Sequence, residues 1–205
     1  MPSLDQSNLA WCAIDGTAVF LDIAADRYFR LAEAENARFL AESGTEGSDG
    51  PRQPIALPLP GSWKPPLGRS PAIDDGPFRL GDVARSLWMQ RRVERRLAAR
   101  TLAEVLFELR DMVGYRTHAV PVRSERARRD IRAFQHARLL RTAADSCLPR
   151  SVALALCLAR HDCRANVVIG VKLAPFAAHC WVQAGDQVLN DELEEVLRYT
   201  PILVL

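Results

Sequence analysis

The sequence contains 205 residues, of which 48% are hydrophobic and 25% are charged, and its formal net charge is +2. This composition predicts a folded protein with a sizeable apolar core, and the near balance of charge excludes a purely electrostatic nucleic-acid binder. No apolar run reaches the length of about 18 residues that a membrane span needs, and the N-terminal residues have no export-signal pattern. We therefore expect a cytoplasmic protein without a membrane partner.

The five cysteines of the chain predict reduced thiols rather than a disulfide framework. Their number is odd, and a chain without an export signal is expected to stay in a reducing compartment. The Cys-x-x-Cys spacing typical of structural zinc sites does not occur in the sequence. We therefore expect neither a metal site nor a cofactor.

The N-terminal stretch has the pattern of a small β-meander followed by a helix. Two short apolar runs at 11–14 and 18–23 flank Asp15-Gly16, a dipeptide that favours a tight hairpin turn. A third run at 27–31 alternates in polarity, as a half-buried strand does. Good helix formers occupy 33–42, which predicts a helix directly after the third strand.

The middle of the chain divides into a linker and a helical stretch. Residues 44–78 contain eight of the thirteen prolines and six of the eleven glycines, a density that excludes a helix and predicts a linker. Helical spacing of apolar residues over 81–114 predicts one long or two shorter helices, and a further helix is predicted at 126–143. Residues 79–150 carry 17 arginines against 8 acidic residues. We interpret this excess as a solvated face, and the alternative is a basic surface for an acidic peptide or nucleic acid.

The C-terminal third predicts a buried helix followed by an antiparallel sheet. A nearly all-apolar helix at about 147–160 precedes a strand at 165–173. A hairpin of 178–183 against 187–191 follows, and the chain closes with a short helix and an apolar tail. A buried helix that precedes antiparallel strands indicates an α+β fold.

Cys147 lies at the predicted start of that buried helix. Asp145 and Ser146 are residue types that cap helices, and Pro149 fits only the first helical turn. A thiol at a helix start faces unpaired N–H groups and the positive end of the helix dipole, which stabilise a thiolate and can hold an oxyanion. Cys147 is therefore the candidate nucleophile, with core packing as the alternative.

His179 and Asp191 are the candidates for the base and for its orienting partner, both of which a thiolate nucleophile needs. His179 begins one strand of the predicted hairpin, and Asp191 ends the other. An odd-length loop centred on Gly185 sets His179 opposite Asp191, whereas a two-residue loop sets Cys180 there. We predict the three-residue loop, because glycine suits its positive φ.

Three sequence blocks together resemble a known family. Cys-Leu-Pro-Arg-Ser begins at Cys147, Gly-Val-Lys-Leu-Ala-Pro-Phe-Ala-Ala-His-Cys-Trp-Val spans 170–182, and Asn-Asp ends at Asp191. These blocks resemble the transglutaminase-like B proteins of lasso-peptide biosynthesis, which are leader peptidases. The resemblance implies a transglutaminase-like or papain-like cysteine peptidase domain. In that domain Cys147 is the nucleophile, His179 the general base and acid, and Asp191 the orienting carboxylate.

The N-terminal meander resembles, more weakly, the small peptide-recognition domain that many of these proteins carry. That domain captures the leader peptide as an additional strand at the edge of its sheet. The resemblance implies that the third strand is this edge. The implied leader-binding residues are Arg27, Tyr28, Phe29, Arg30 and Leu31.

The resemblance divides the chain into three parts: a peptide-recognition-like meander and helix at 1–43, a linker at 44–78 and a cysteine peptidase domain at 79–205. It implies a peptidase that removes the leader from a lasso precursor through an acyl-enzyme. The implied partners are the precursor's leader peptide and an ATP-dependent macrolactam-forming cyclase, with no nucleic acid. One alternative is an acyltransferase or deamidase that uses the same three residues. Another is a non-catalytic adaptor that binds peptide or nucleic acid.

Overall fold

The computed structural model describes residues 8–43, 64–70, 76–114, 122, 124–140 and 146–205. Two sheets with helices packed against them make up these residues, so the predicted α+β class is confirmed. In chain order the elements are β1 (Leu9–Ile14), β2 (Thr17–Asp22), β3 (Arg27–Arg30), α1 (Glu33–Glu42), β4 (Gly68–Arg69), α2 (Leu80–Ala99), α3 (Leu102–Gly114), α4 (Glu125–Leu140), α5 (Cys147–Ala159), β5 (Asn166–Leu173), β6 (Phe176–Ala184), β7 (Gln187–Val188), α6 (Leu193–Val196) and β8 (Thr200–Val204).

The N-terminal sheet is the predicted meander, with antiparallel strands in the order β1-β2-β3. Asp15 and Gly16 both have positive φ, 46° and 72°, as a two-residue hairpin turn requires. One face of the sheet carries aromatic rings, and Phe39 of α1 packs edge-on against Trp11 and Phe20. Helix α1 therefore covers this face.

The opposite face of the N-terminal sheet belongs to the main core of the protein. Cys12 and Leu21 are fully buried in the same apolar cluster as Leu154 of α5 and Val167 of β5. Strand β1 also lies against β8, the last strand of the larger sheet. The meander is thus packed onto the rest of the protein.

The long helical stretch is two helices, α2 and α3. Helix α2 ends where Arg100 adopts an extended backbone, with φ −137° and ψ 160°. The chain then restarts at a capping box, because Thr101 Oγ1 accepts the N–H of Glu104 and Glu104 Oε2 accepts the N–H of Thr101. Within the described residues, no helix is both long enough and apolar enough to cross a membrane.

The larger sheet has five strands in the order β4-β7-β6-β5-β8. Helix α5 packs against one face. The other face carries a smaller apolar cluster built around Trp181 and Val196. The C-terminal residues, predicted only as an apolar tail, form strand β8, which pairs antiparallel with β5. Both edges of the β5–β6 hairpin are therefore flanked by strands, although β7 is very short.

Most of the predicted linker lies outside the described residues, which include only 64–70 and 76–78 of it. Within these, β4 pairs parallel with β7, so that Gly68 stands beside Gln187. The Gln183 side chain also donates a hydrogen bond to the Lys64 carbonyl. This part of the chain therefore continues the larger sheet. The three-part domain division stays a prediction.

Candidate active site

Cys147 is the first residue of helix α5, as predicted. Ser146 occupies the N-cap position, but its side chain makes no capping hydrogen bond. Its hydroxyl instead accepts a hydrogen bond of 3.0 Å from the Arg150 guanidinium, one turn further along. The predicted side-chain cap is therefore wrong for Ser146, while Asp145 lies outside the described residues. The helix start depends on Pro149 in the first turn and on the Ser146 carbonyl, which accepts the Arg150 N–H.

The thiol of Cys147 contacts the larger sheet at a part of β6 that does not pair with β7. Strand β7 pairs with β6 only at Gln183 and Ala184. Beyond that point the outward N–H groups of β6, which alternate along a strand, need other acceptors. The N–H of Val182 donates to the Asn190 side chain at 2.8 Å. The N–H of Cys180, two residues earlier, donates to the sulfur of Cys147.

The predicted hairpin loop is wrong. The turn contains two residues, Gly185 and Asp186, and Ala184 stands opposite Gln187. By strand parity this register would exclude a contact between His179 and Asp191, yet Nε2 of His179 lies 2.8 Å from Oδ2 of Asp191. The ladder stops short of these residues, and the chain leaves it after Val188, so strand parity does not govern their positions.

Asn190 and Ser151 connect the three segments of the site, although neither residue was predicted from the sequence. The Ser151 hydroxyl, one turn after Cys147 on α5, donates to the Cys180 carbonyl at 2.9 Å. The Asn190 amide in turn donates to the Ser151 hydroxyl at 2.9 Å. Both residues are buried and lie inside the motif blocks, which was the available signal. They fix the start of α5 against β6 and against the loop that carries Asp191.

Cys147 and His179 form a hydrogen-bonded pair. Burial alone would raise the pKa of the Cys147 thiol, but hydrogen bonds from His179 and from the N–H groups of Cys180 and Leu148 lower it below its ordinary value. Burial lowers the pKa of His179, yet its bonds to Asp191 and Cys147 outweigh this and raise the pKa to about 9. Each group of the pair therefore stabilises the charged form of the other.

Three donors hold the Asp191 carboxylate in place. His179 contacts Oδ2, the N–H of Glu192 donates to Oδ1 at 2.9 Å, and the Arg138 guanidinium lies 3.2 Å from Oδ1. Burial raises the pKa of Asp191, but these donors together lower it. Arg138 comes from α4, far away in the sequence, and no motif singled it out among the arginines.

Two aromatic rings and one glycine hold the imidazole in place. The His179 ring lies 5.1 Å from the ring of Tyr199 and 6.3 Å from that of Trp181. Gly170 stands directly opposite His179 on β5. A Cβ at this glycine would lie 2.8 Å from Trp181 and 2.9 Å from Tyr199, closer than real contacts allow. The glycine of the second motif block therefore makes room for these rings.

The comparisons with known proteins agree with this geometry. The sequence pattern of the transglutaminase-like superfamily matches residues 83–204, more than half of the chain.

The chain belongs to the transglutaminase-like superfamily.

A second match is to the Microcin J25-processing protein McjB of Escherichia coli, which is 47% identical over 45 residues. That segment is 22% of this chain and 22% of McjB, so the match covers a small part of both proteins. No solved structure matches the chain. The resemblance predicted from the three motif blocks is confirmed by these findings, and the catalytic roles of Cys147, His179 and Asp191 stay predictions.

The other four cysteines of this transglutaminase-like chain are buried, as core packing requires. Burial raises the pKa of Cys12 to about 12 and that of Cys157 to about 11. It also raises the pKa of Cys163 and of Cys180, which follows the predicted base. Cys147 is thus the one cysteine in the described residues whose pKa is lowered.

The predicted leader-binding residues lie on an open edge. Among the described residues β3 pairs with β2 alone, and Arg27 and Arg30 are exposed. Phe29 stacks on Phe20 at 5.0 Å, and Leu31 packs against the aromatic face beside it. Tyr28 faces the opposite way and packs against the main core. Their role in leader binding stays a prediction.

Side chains and backbone N–H groups make up the candidate site. Within the described residues, no three His, Cys, Asp or Glu side chains come together in a way that could hold a metal ion. The arrangement brings together a thiol of lowered pKa, an imidazole, a carboxylate and N–H donors at a helix start. These are the parts that acyl transfer from an amide requires.

Proposed function

We propose that this chain is a cysteine peptidase that removes the leader peptide from a ribosomally made lasso precursor. The observation that carries the proposal is the hydrogen-bonded line from Cys147 through His179 to Asp191, with the thiol at a helix start. The similarity to the Microcin J25-processing protein supports a precursor peptide as the substrate. A precursor made on ribosomes places the reaction in the cytoplasm.

In the first half of the proposed reaction, the Cys147 thiolate attacks the scissile carbonyl carbon and a sulfur–carbon bond forms. The N–H groups of the first turn of α5 have no intrahelical acceptors and stabilise the negative oxygen that develops. Imidazolium His179 then gives its proton to the amide nitrogen as the carbon–nitrogen bond breaks. The core peptide leaves with a new N-terminal amine, and the leader stays on Cys147 as a thioester.

In the second half, the neutral imidazole of His179 takes a proton from water, and the water oxygen bonds to the thioester carbon. The sulfur–carbon bond breaks, the leader departs with a C-terminal carboxylate, and the thiolate–imidazolium pair is restored. Asp191 keeps the imidazole oriented and balances its charge through both steps.

The proposed partners follow from the products. The leader binds along the open edge of β3, and an ATP-dependent macrolactam-forming cyclase consumes the freed amine of the core. Binding at β3 raises the effective concentration of the scissile bond near Cys147 into the millimolar range, about that expected for a short flexible tether.

The second candidate is acyl transfer or deamidation, which uses the same residues and differs in the acceptor or in the amide attacked. It is favoured by membership in the transglutaminase-like superfamily. A non-catalytic adaptor, the third reading, would have no need for a lowered thiol pKa at Cys147.

The deciding experiment incubates the full chain with a lasso precursor peptide in water enriched in oxygen-18 and follows the products by mass spectrometry. A peptidase yields a leader that carries the label in its new carboxylate and an unlabelled core with a free amine. A transferase attaches the leader to an added amine. A deamidase leaves the precursor peptide uncleaved and converts one of its side-chain amides to an acid. Cys147→Ala is the control, and cleavage by that variant at the wild-type rate would exclude Cys147 as the nucleophile.

A further inference from the structure

A cavity of about 170 Å³ lies between the N-terminal sheet and the tip of the β5–β6 hairpin. This volume resembles that of an engineered apolar cavity that holds a benzene molecule, about 150 Å³, so one aliphatic or aromatic side chain fits. The N-terminal sheet and the hairpin both contribute to its walls, so the cavity exists only because the meander packs onto the larger sheet. Its lining residues are Val19, Tyr28, Phe29, Arg30, Leu173 and Phe176.

Two residues of the cavity wall relate it to the candidate active site. Tyr28 lines it and is close enough to Cys147 for the charges of the two groups to interact. Phe176, on the opposite wall, makes an edge-on ring contact of 5.5 Å with Tyr28. It also lies on β6 only three residues before His179. Three residues of a strand span about 10 Å, so a side chain a few residues from the scissile bond of a bound peptide can reach the cavity.

The chemistry of the walls selects an apolar group. Four of the lining residues are hydrophobic, and burial raises the pKa of the Tyr28 hydroxyl, which keeps that wall uncharged. The exposed Arg30 is the single charged residue of the lining. Phe176 is half exposed, although burying an aromatic ring is favourable by about 2 kcal/mol, so an apolar occupant would gain by covering it.

We propose that this cavity is a specificity subsite that receives one apolar side chain of the substrate peptide, on the leader side of the scissile bond. The proposal rests on the proposed function in taking a peptide as the substrate. The occupant is the leader, because the cavity adjoins the open edge of β3, where an added strand would place alternate side chains toward the hairpin. The meander would thereby supply part of the peptidase's own side-chain selectivity, in addition to holding the leader.

The test uses short peptidyl acyloxymethyl ketones, whose carboxylate is displaced when the Cys147 sulfur bonds to the ketone methylene. Each probe carries alanine at every position except one, where leucine or glutamate is placed in turn. The rate of covalent labelling of Cys147 is measured for the wild type, Phe176→Ala and Phe78→Ala. Phe78 is a matched control, because it is similarly exposed and lies against His136 on α4, away from the cavity.

We expect one position at which leucine labels the wild type and Phe78→Ala at least tenfold faster than glutamate. In Phe176→Ala that preference should fall below about threefold, and Phe176→Arg should reverse it toward glutamate. An equal preference in all variants, or none at any position in the wild type, would overturn the subsite. Because labelling needs no turnover of a precursor, a leucine preference without precursor cleavage rejects the proposed function and retains the subsite. Precursor cleavage without a leucine preference rejects the subsite and retains the proposed function.

Discussion

Different interactions stabilise the start of α5 and the N-terminal sheet. Around Cys147, side-chain hydrogen bonds of 2.8 to 2.9 Å join α5, β6 and the loop at Asn190. In the N-terminal sheet, aromatic rings pack at 4.8 to 6.3 Å against one another and leave the β3 edge open. Directional bonds fix atoms for chemistry, whereas ring packing supports a surface for binding. Changes in the first region should therefore lower turnover, and changes in the second should weaken binding.

The largest expected effect comes from Asp191→Asn. The asparagine amide cannot balance the imidazolium charge and favours the wrong imidazole tautomer, so we expect kcat for precursor cleavage to fall by about 10²–10⁴-fold. KM should change by less than about threefold, because the edge of β3, where we propose that the leader binds, is untouched. The measurement is steady-state cleavage of the precursor by mass spectrometry.

Glu194→Gln is the matched control for this change. Glu194 is exposed on α6, and its substitution by glutamine removes the same charge at a distance from His179. It should cleave at the wild-type rate. Circular dichroism should show the same fold for both variants. Wild-type turnover in a folded Asp191→Asn protein would mean that another group orients the base.

The next largest effect separates Cys147 from the other thiols. The pKa of Cys147 lies below its ordinary value of 9.0 and that of Cys157 lies at about 11, so the thiolate fractions at pH 7 differ by about 10²-fold or more. Brief treatment with iodoacetamide should label Cys147 first. Peptide mapping by mass spectrometry identifies the labelled residue, and faster labelling of Cys157 or Cys180 would contradict the assignment.

Several features of the two regions could be predicted from the sequence, because residues close together in the chain determine them. Polarity alternation and Asp15-Gly16 indicated the meander, and Pro149 indicated where α5 begins. The position of Cys147 at that helix start was predicted in the same way. These features depend on residues within a few positions of one another, whereas the pKa of Cys147 is lowered mainly by His179, which is distant in the sequence.

The parts that the sequence did not predict depend on distant segments. Strand parity predicted the wrong loop at Gly185, because it assumed that the ladder continues to Asp191, whereas β7 ends at Val188. Arg138 approaches Asp191 only because α4 packs beside the site, and one arginine among many gives no signal of that contact. Gly170 had no local role, since the rings that need its space come from β6 and from the segment before β8.

In the N-terminal sheet, Arg30→Pro tests whether main-chain pairing at β3 binds the leader. Phe29 pairs with Phe20 through the β2–β3 ladder, so the N–H of the next residue, Arg30, points to the open edge. Proline removes that N–H and is tolerated where the N–H of an edge strand faces outward, so we expect KM for the precursor to rise about tenfold while kcat stays within about threefold. Arg30→Ala is the control, because it also loses the guanidinium but keeps the N–H. Equal KM values for the two variants, both folded by circular dichroism, would exclude main-chain pairing at this residue.

Gly170→Ala should affect stability and turnover together. The added Cβ lies under 3.0 Å from both Trp181 and Tyr199, and relieving such a clash in a packed core costs about 1–3 kcal/mol. Because both rings contact His179, we also expect kcat to fall by about three- to tenfold. Thermal unfolding and steady-state cleavage measure the two effects. An unchanged Tm would mean that the rings move aside without cost, and Gly81→Ala, where the added Cβ meets open space, is the control.

The smallest effect sharpens the role of charge beside Asp191. Attack on the scissile carbonyl needs the Cys147 thiolate, so kcat/KM should rise with pH through the lowered thiol pKa. Departure of the amine also needs the His179 imidazolium, so kcat/KM should fall as His179 loses its proton at about pH 9.

Arg138 shares the Asp191 carboxylate with His179, which weakens the hold of the carboxylate on the imidazolium. Arg138→Gln frees the carboxylate for the imidazolium, so the alkaline limb of kcat/KM should move upward by up to about one pH unit. Arg138→Lys keeps the positive charge and should leave the limb in place, while losing a similar few-fold in kcat from poorer geometry. A purely structural role for Arg138 would lower kcat in both variants and move the limb in neither. Because only the charge distinguishes the two variants, the pH at which cleavage declines reports the coupling of Arg138 to the imidazole through Asp191.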